Sequence, residues 1–366
     1  MKAVILVGGE ATRLRPLTYN TPKAMVPVLN TPFLEYVIRH LGSHGIKDII
    51  LAQSHFSQPI ENYFRDGSRF GVKLSYTIED TPLGTAGAVK NAEKHLDETF
   101  LVLNGDVFTD LDITAMIAFH QERKAKATIA LTKVDDPTSY GLIETNARGR
   151  VTQFVEKPSR KQITTDMINA GTYILEPDTL NRIPPQTNFS FEHELFPLLL
   201  GNSEPIYAYP SAAYWIDIGT PEKYIQLHRD LLNGRSIQHS SPVGEEVMIG
   251  EQSSIDPTAQ IKGPVLVGNN CIIAGKVKLI GPVVIGSAST IWEGAIIEAS
   301  IIWRNARLEQ GVNLKDSIIA DNVCLGANSI IHGAALGDNV TVVSGSKLEP
   351  GSKIAPGTIV RPKTDS

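Results

Sequence analysis

The chain has little cysteine and no long hydrophobic run. Cys271 and Cys324 are its only cysteines, and their distance in sequence excludes a disulfide framework and a zinc-binding spacing. No apolar stretch reaches the length of a transmembrane helix. The first residues lead directly into a predicted strand, without the pattern of a signal peptide. We therefore expect a cytoplasmic protein without a membrane partner.

The charge balance is also modest. The 366 residues carry a formal net charge of −5, which argues against a general nucleic-acid surface. Hydrophobic residues make up 42% and charged residues 20%, as in ordinary globular proteins, and the length is sufficient for two domains. Neither GxxxxGK(S/T) nor GxGxxG follows the first strand, so the common P-loop and dinucleotide-binding fingerprints are excluded there.

The stretch Lys2–Pro27 nevertheless has the residues of a polyphosphate site. An apolar run, Ala3–Val7, predicts a buried strand, and Gly8 and Gly9 follow it at once. Glycine N–H groups can approach an anion closely, and cations can meet phosphate oxygens by charge-assisted hydrogen bonds. The cations of this stretch are Arg13, Arg15 and Lys23. On these residues alone, a strand followed by a solvated basic loop remains an alternative.

Apolar strands alternate with helices up to about residue 233, which predicts a mainly parallel sheet covered on both faces. Ligands of such sheets bind beyond the carboxyl ends of the strands. Asp106 follows a buried strand and a glycine, so we expect it at the same edge as the Gly8–Gly9 turn. A carboxylate there can bind Mg²⁺ beside substrate phosphates. The alternative is an Asx turn or a helix cap, a role that suits Asp110 and Asp112 better.

The pattern GGxxTRLxPLT…PKxxxPV, from Gly8 to Val28, resembles the signature of the sugar-1-phosphate nucleotidylyltransferases, and within them most closely the mannose-1-phosphate guanylyltransferases. The resemblance implies an α/β fold, a Rossmann-like nucleotidyltransferase domain with a mixed, mainly parallel sheet. The family usually has glycine at the position of Ala11, which can serve there if its φ is negative. The nucleotide-binding residues that the resemblance implies are Gly8, Gly9, Thr12, Arg13, Lys23, Glu79, Gly84 and Asp106.

Glu79 bears on the choice of base. In this family the segment Glu79–Ala88 lines the nucleobase pocket, and the residue five before Gly84 reads the base edge. That residue is Glu79, whose carboxylate offers only acceptors. Guanine presents two neighbouring donors, N1–H and the exocyclic amine, so Glu79 favours GTP over UTP or dTTP. A solvent-exposed glutamate before a turn is the alternative.

FVEKP, residues 154–158, resembles the family's sugar-phosphate motif. The resemblance implies that Lys157 holds the phosphate of a sugar 1-phosphate and that Glu156 accepts hydrogen bonds from sugar hydroxyls. An exposed charge pair closing an edge strand is the alternative. Further matches to sugar-site positions of the family are Gly141, Asn169 and Gly171.

Asp217 lies between Ile216 and Ile218 in the stretch YWIDIG. A carboxylate in such an apolar setting is unusual unless it has a function. Its position matches the second metal aspartate of the family. The resemblance therefore implies that Asp106 and Asp217 together bind Mg²⁺.

Beyond a polar segment, residues 234–246, apolar residues recur every six positions. They are Ile249, Ile255, Ile261, Val267, Ile273, Leu279, Ile285, Ile291 and Ile297 and, after one slip near Trp303, Val312, Ile318, Cys324, Ile330, Leu336, Val342, Leu348, Ile354 and Val360. Ile319, Leu325 and Ile331 offer a second register in that part. The period predicts a parallel β-helix with one stacked core, in which Cys271 and Cys324 are small members.

This β-helix resembles the left-handed β-helix of hexapeptide repeats that is appended to many nucleotidylyltransferases. The expected organisation is a catalytic domain at residues 1–233, a linker at 234–246 and the β-helix at 247–366. We expect a homo-oligomer that forms through the β-helix, and no nucleic-acid partner.

The motifs and the resemblance together imply transfer of a nucleotidyl group from an NTP to a sugar 1-phosphate. Arg13, Lys23, Asp106 and Asp217 are the implied catalytic residues, Mg²⁺ is the implied cofactor, and GTP with mannose 1-phosphate is the favoured pair. One alternative is glucose 1-phosphate with dTTP or UTP. Another is a non-catalytic regulatory subunit that binds nucleotide sugar. A third is a bifunctional enzyme whose β-helix is an acyltransferase, for which His332 is the candidate residue.

Overall fold

The computed structural model describes residues 1–54, 58–238 and 247–362. The chain divides into two compact units, Met1–Gly9 with Leu34–Asp217 and Glu10–Phe33 with Ile218–Ser366. The stretch with Arg13 and Lys23 therefore groups with the unit that contains the hexapeptide repeats. The linker proposed at 234–246 falls partly outside the described residues and stays a prediction. In the described ranges, no helix combines the length and the apolar character needed to cross a bilayer.

The first unit is built on a mixed sheet. Lys2–Leu6 lies in its middle, parallel to Phe100–Asn104 on one side and to Asp48–Gln53 on the other. Met167–Leu175 is antiparallel to Phe100–Asn104. From one edge to the other the strands are Val151–Glu156, Gly141–Thr145, Met167–Leu175, Phe100–Asn104, Lys2–Leu6, Asp48–Gln53 and Lys73–Ile78, while Ala127–Lys133 pairs with Met167–Leu175 and with Ile206–Pro210. The predicted α/β class is confirmed.

The described residues contain six α-helices. Asp112 caps one of them, since its Oδ1 accepts a hydrogen bond from the backbone N–H of Ala115 at 2.9 Å, as its position before an apolar helix predicts. The helix that begins at Gly84 ends at Asn91, and a 3₁₀ turn follows. The helices are Phe33–Ser43, Gln58–Phe64, Gly84–Asn91, Ile113–Arg123, Phe196–Gly201 and Pro221–Leu232.

The second unit contains a stack of short parallel strands in three sheets. The first sheet is Val247–Ile249, Val265–Val267, Val283–Ile285, Ile301–Ile302, Ile318–Ile319, Ala335–Leu336 and Lys353–Ile354. The second is Ser254–Ile255, Ile272–Ile273, Thr290–Ile291, Arg307–Leu308, Cys324–Leu325, Thr341–Val342 and Ile359–Val360. The third is Gln260–Lys262, Lys278–Ile280, Ile296–Glu298, Asn313–Lys315, Ile330–His332 and Lys347–Leu348. This arrangement confirms the hexapeptide-repeat β-helix.

The register of the repeat differs from the simplest prediction. Val267 pairs with Ile285, eighteen positions on, but Ile302 pairs with Ile319, only seventeen positions on. A five-residue step therefore replaces a six-residue step in some turns. The second register is the correct one, because Ile319, Leu325 and Ile331 are in the core. The core positions assigned to Ile249, Cys324 and Ile330 are wrong, since Ile249 is 52% exposed and the other two side chains are only half-buried, whereas Cys271 is fully buried as predicted.

Candidate active site

The carboxyl ends of two neighbouring strands bring the glycine turn and Asp106 to one edge of the sheet. Leu6 pairs with Asn104 in the parallel ladder, and Gly8 and Asp106 each follow two residues later. The backbone N–H of Gly105 donates to the carbonyl of Leu6 at 2.9 Å. A Cβ at Gly105 would lie 2.5 Å from that carbonyl oxygen, so only glycine allows this close approach.

Asp106 and Asp217 lie on adjoining segments. Val107–Thr109 and Trp215–Asp217 form a small antiparallel sheet in which Asp217 pairs with Val107, the neighbour of Asp106. Asp217 is 8% exposed and Asp106 is half-buried. The hydroxyl of Tyr140 donates to Oδ1 of Asp217 at 2.7 Å, which orients that carboxylate.

Two carboxylates are a suitable donor set for one kind of cation. Within the described ranges, no group of three or more His, Cys, Asp or Glu side chains could hold a metal ion. Mg²⁺ is commonly bound by one or two carboxylates together with water and substrate phosphates, so it does not need such a group. Asp106 and Asp217 fit this mode of binding, and they do not fit an all-protein metal cage.

Glu79 lies beside the glycine turn. It follows the strand Lys73–Ile78, and its backbone N–H donates to the carbonyl of Gln53, which ends the strand next to Lys2–Leu6. Its Oε2 accepts from the N–H of Leu83 at 3.1 Å. Its Oε1 faces Gly8, where an added Cβ would be 3.1 Å away. Two of the predicted nucleotide-binding residues, Gly8 and Glu79, therefore lie close together.

Gly84 begins the helix that follows Leu83. Its φ of +69° belongs to the left-handed region, and a Cβ there would lie 2.8 Å from the carbonyl oxygen of Phe189. Both facts exclude a larger residue at this position. The glycine that the resemblance implies is therefore required by the backbone as well.

The predicted sugar-side glycines each adjoin a polar side chain. Gly141 pairs with Glu156 across two antiparallel strands, and a Cβ on Gly141 would lie 2.8 Å from Oε2 of Glu156. Gly171 has a φ of +72°, and a Cβ there would lie 2.6 Å from Nδ2 of Asn104. Both glycines leave room beside a group that can hydrogen-bond to a ligand.

Asn169 is held by two hydrogen bonds. Its Oδ1 accepts from the N–H of Gly171 at 2.9 Å, and its Nδ2 donates to the Tyr173 hydroxyl at 2.8 Å. The Tyr173 hydroxyl in turn donates to Oε1 of Glu192 at 3.1 Å. The geometry thus fixes Asn169 rather than leaving it free to rotate.

Glu156 is an acid in an unfavourable environment for its charge. Burial raises its pKa most, the negative charge of Glu192 raises it further, and Lys157 opposes the shift. Lys157 itself is exposed, with a φ of +46°, and its N–H donates to the carbonyl of Tyr140 at 3.0 Å. A ligand with hydroxyl donors near Glu156 and a phosphate near Lys157 would stabilise the charged forms of both side chains.

Three polar residues near these positions were missed by sequence reasoning. They are Asn104, Tyr140 and Glu192. Oδ1 of Asn104 is buried and has no hydrogen-bond partner within the described residues, beside Gly171. Asn104 ends the buried strand before Gly105, a position that could have identified it. Tyr140 and Glu192 act through contacts distant in sequence, and their local sequence gives no such signal.

In the second unit, Arg13 lies in a single 3₁₀ turn, Thr12–Leu14, and Thr12 and Arg13 are both exposed. Lys23 is half-buried in another such turn, Lys23–Met25. The condition on Ala11 is not met, because its φ is +47° and its ψ is +42°. This is the left-handed conformation that glycine adopts more easily, which explains why a glycine is usual there.

His332 lies on the outer side of the β-helix. Its Nε2 is 3.2 Å from Oδ1 of Asn313 on the neighbouring strand. An amide partner gives this histidine no carboxylate to orient it as a base. Among the described residues, the hydrogen bond of His332 to Asn313 does not favour the acyltransferase alternative.

The fold and the site define an α/β protein with a ligand site at the carboxyl edge of its sheet, extended by a hexapeptide-repeat β-helix. Residues 2–234 match the family model described as nucleotidyl transferase, and residues 277–349 match the model described as GlmU-like, C-terminal hexapeptide. The chain belongs to the nucleotidyl transferase family.

Relatives of known name agree with this assignment. A mannose-1-phosphate guanylyltransferase of Mycobacterium tuberculosis is 38% identical to this chain, and the aligned region covers 81% of each protein. A UTP–glucose-1-phosphate uridylyltransferase of Synechocystis sp. is 36% identical, with the same coverage. Among solved structures, HddC of Yersinia pseudotuberculosis is 34% identical, with a TM-score of 0.55 over 62% of this chain and 97% of its own; a second HddC structure is complexed with GMP-PN.

Proposed function

We propose that the protein transfers a nucleotidyl group from GTP to mannose 1-phosphate, giving GDP-mannose and pyrophosphate. The observation that carries the proposal is the placement of Asp106, Asp217 and the Gly8 turn at the carboxyl end of adjoining strands. Carboxylates and a glycine turn at this edge suit a metal–nucleotide complex. The family of the chain supports the reaction class.

In the proposed reaction, a phosphate oxygen of the sugar 1-phosphate attacks the α-phosphorus of the NTP. The bond from the α-phosphorus to the bridging oxygen breaks, and pyrophosphate leaves with that electron pair. The phosphate nucleophile is ionised at neutral pH, so no general base is needed. The protein contributes positioning and charge stabilisation, as in phosphoryl transfer generally.

The predicted catalytic residues and the polar sugar-site residues each have a role in this scheme. Lys157 would hold the incoming phosphate, while Glu156 and Asn169 would bind sugar hydroxyls. Arg13 would stabilise charge on the leaving pyrophosphate, and Lys23 would contact the nucleotide phosphates. Mg²⁺, with Asp106 and Asp217 as its protein ligands, would supply neutralisation of the phosphate charge when bound.

The choice of base is supported by Glu79. Oε2 is engaged with the Leu83 N–H, while Oε1 faces the glycine turn. A carboxylate with free acceptor positions suits the two donors of guanine. It has no donor to offer to the carbonyl groups of uracil or thymine. The guanylyltransferase relative and the GMP-PN complex of HddC support this reading. The uridylyltransferase relative favours UTP with glucose 1-phosphate as the second candidate.

The test is pyrophosphate release with Mg²⁺ across four NTPs and three sugar 1-phosphates. We expect a clear maximum at GTP with mannose 1-phosphate. A maximum at dTTP or UTP would keep the reaction class and reject the role of Glu79. No turnover with any pair, combined with binding of a nucleotide sugar, would instead indicate a regulatory subunit.

We also propose that the protein is a homo-oligomer formed through the β-helix. The support is a set of large apolar side chains that are exposed on the described part of this unit, namely Val247, Ile249, Ile272, Trp292, Val343 and Ile359. Exposed apolar side chains mark an interaction surface where they are contiguous, and this is the role that we propose for the set. Light scattering of the purified protein would give the mass, and a monomer at micromolar concentration would reject the proposal.

A further inference from the structure

The loop that bears Lys23 is bonded to the β-helix. This loop, Glu10–Phe33, is here named the phosphate loop, and it belongs to the same compact unit as the β-helix. Nδ2 of Asn20 donates to Oδ2 of Asp338 at 3.1 Å. Nδ2 of Asn30 donates to the carbonyl of Ile285 at 3.0 Å. Two hydrogen bonds therefore hold the loop directly on the β-helix, one on either side of Lys23.

A third connection is buried and runs through a tyrosine. Nε1 of Trp303, in the β-helix, donates to the Tyr224 hydroxyl at 3.0 Å. The Tyr224 hydroxyl donates to the carbonyl of Pro27 in the phosphate loop. Trp303 is 2% exposed and Tyr224 is fully buried. A hydroxyl has a single proton to donate, and Tyr224 uses it for the Pro27 carbonyl. The two hydrogen bonds therefore run in one direction, from Trp303 to Tyr224 and from Tyr224 to the phosphate loop.

Pro27 lies close to Lys23 along a tight stretch of backbone. The Lys23–Met25 turn is closed by a hydrogen bond from Val26 N–H to the Lys23 carbonyl, at 3.3 Å, and by one from Met25 N–H to the Pro22 carbonyl, at 2.8 Å. A displacement of the Pro27 carbonyl would therefore move the turn that carries Lys23. The Trp303–Tyr224 pair is placed to prevent such a displacement.

We propose that the β-helix sets the position of Lys23 for nucleotide binding, with Trp303 and Tyr224 as the positioning residues. This inference rests on the proposed function, since it takes Lys23 to be a nucleotide-phosphate ligand. Neither Trp303 nor Tyr224 touches the substrates in this scheme. Their effect passes through the Pro27 carbonyl to the turn, so loss of the hydrogen bond weakens nucleotide binding.

The first experiment replaces Trp303 by Phe, which keeps an aromatic ring and removes the Nε1–H donor. We expect the KM and the calorimetric Kd for the NTP to rise about fivefold, the effect of one lost hydrogen bond, with the KM for the sugar 1-phosphate unchanged. Trp292→Phe is the matched control, because Trp292 is in the same β-helix but is 48% exposed. It should leave both constants at their original values.

The second experiment asks whether Trp303 acts through the Tyr224 hydroxyl. Tyr224→Phe alone should raise the Kd for the NTP, and adding Trp303→Phe should raise it no further, because the two residues form one chain. Asn20→Ala tests the direct anchor to Asp338 without replacing a buried side chain, because Asn20 is exposed. It should also raise the Kd for the NTP, even if the Trp303 variant folds poorly.

The outcomes separate this inference from the proposed function. Nucleotide binding that is indifferent to Trp303→Phe and to Asn20→Ala would overturn the inference alone. An equal loss for both substrates, together with a lower Tm, would show a merely structural role and would also overturn it. An unmodified protein that binds no NTP would overturn the proposed function and, with it, the positioning role.

Discussion

The Tyr140 hydroxyl donates a hydrogen bond of 2.7 Å to Oδ1 of Asp217, and Asp217 pairs across strands with the neighbour of Asp106. One oxygen of Asp217 is thereby oriented by a residue that is 77 positions away in sequence. We therefore expect a larger loss of activity when either aspartate is replaced than when Tyr140 is replaced.

Asp106→Asn and Asp217→Asn should each lower kcat by about a hundredfold or more, because each removes a charge that stabilises the transition state. Tyr140→Phe should lower activity by about tenfold, as for other residues that orient a metal ligand, and should raise the Mg²⁺ concentration needed for half-maximal rate. The measurements are kcat and its Mg²⁺ dependence, with Tm as the check on folding. Most of the activity surviving in Asp106→Asn would reject the metal assignment.

Glu79→Gln tests the choice of base. The amide replaces one acceptor by a donor, so we expect kcat/KM for GTP to fall by about tenfold or more relative to UTP and dTTP. Glu61, in the helix Gln58–Phe64, accepts from the Gln53 side chain and has no proposed part in base recognition, so Glu61→Gln is a matched control that should keep the preference. An unchanged ratio of GTP to UTP in Glu79→Gln would exclude Glu79 as the base reader.

The pKa of Glu156 predicts a dependence on pH. Since burial and the Glu192 charge raise this pKa, Glu156 takes up a proton at a higher pH than an ordinary glutamate. A protonated carboxyl accepts sugar hydroxyls less well, so the KM for the sugar 1-phosphate should rise as the pH falls. In Glu192→Gln the second cause is absent, and the midpoint of this rise should move to lower pH.

Comparison of the two profiles removes the contribution of the substrate. The sugar phosphate has its own second ionisation near pH 6, which is the same for both proteins. Only the difference between the midpoints reports on Glu156. Coincident profiles would show that Glu156 does not bind the sugar in its charged form, or that Glu192 does not influence it.

Ala11→Gly tests the strain in the phosphate loop. An alanine in the left-handed region costs about 1 kcal/mol relative to its ordinary conformation, and glycine avoids that cost at the expense of some unfolded-state entropy. We expect a small rise in Tm. Ala355→Gly is the control, because Ala355 is exposed in the same unit and its φ is not positive. A fall in Tm for Ala11→Gly would show that neighbouring contacts, and not the backbone, decide the residue.

Much of the fold was predictable because local patterns determine it. The apolar run before Gly8 and the six-residue period reflect burial along each strand and each turn of the β-helix, and Asp112 shows that even a helix cap can be read locally. The five-residue steps were not predictable from the period alone, because Ile318 and Ile319 are both apolar and only stacking decides which faces inward.

The site was predictable where a residue follows a strand or a glycine. Asp106 belongs to this group, whereas Gly84 and Gly141 were identified only through the resemblance, and the functional roles of all three stay predictions. Tyr140 and Glu192 were missed because they orient other side chains across long sequence separations. The backbone conformation of Ala11 could not be predicted either. Its φ is positive because of the path of the whole loop, and the residue type alone does not indicate this.

His228 gives a prediction for acid stability. Its ring is buried against Tyr224, with centroids 4.7 Å apart, and neither ring nitrogen has a hydrogen bond of good geometry within the described residues. Burial lowers its pKa to about 3, although the Pro27 carbonyl opposes the shift. The unfolded chain, with a histidine pKa near 6.5, therefore binds the proton first as the pH falls. Stability is lost from about pH 6.5 downward, by roughly 2 kcal/mol at pH 5.

His228→Leu removes this titration and keeps an apolar side chain in the same space. The variant should lose less Tm than the unmodified protein between pH 7 and pH 5, and at pH 7 it should be no less stable, because the two unsatisfied nitrogens are gone. His193 is exposed, so His193→Gln should leave the loss of Tm between pH 7 and pH 5 unchanged. His40 and His120 also have pKa values lowered by burial, so the informative quantity is the difference between His228→Leu and the unmodified protein. Parallel losses of Tm in the two proteins would show that His228 does not limit acid stability.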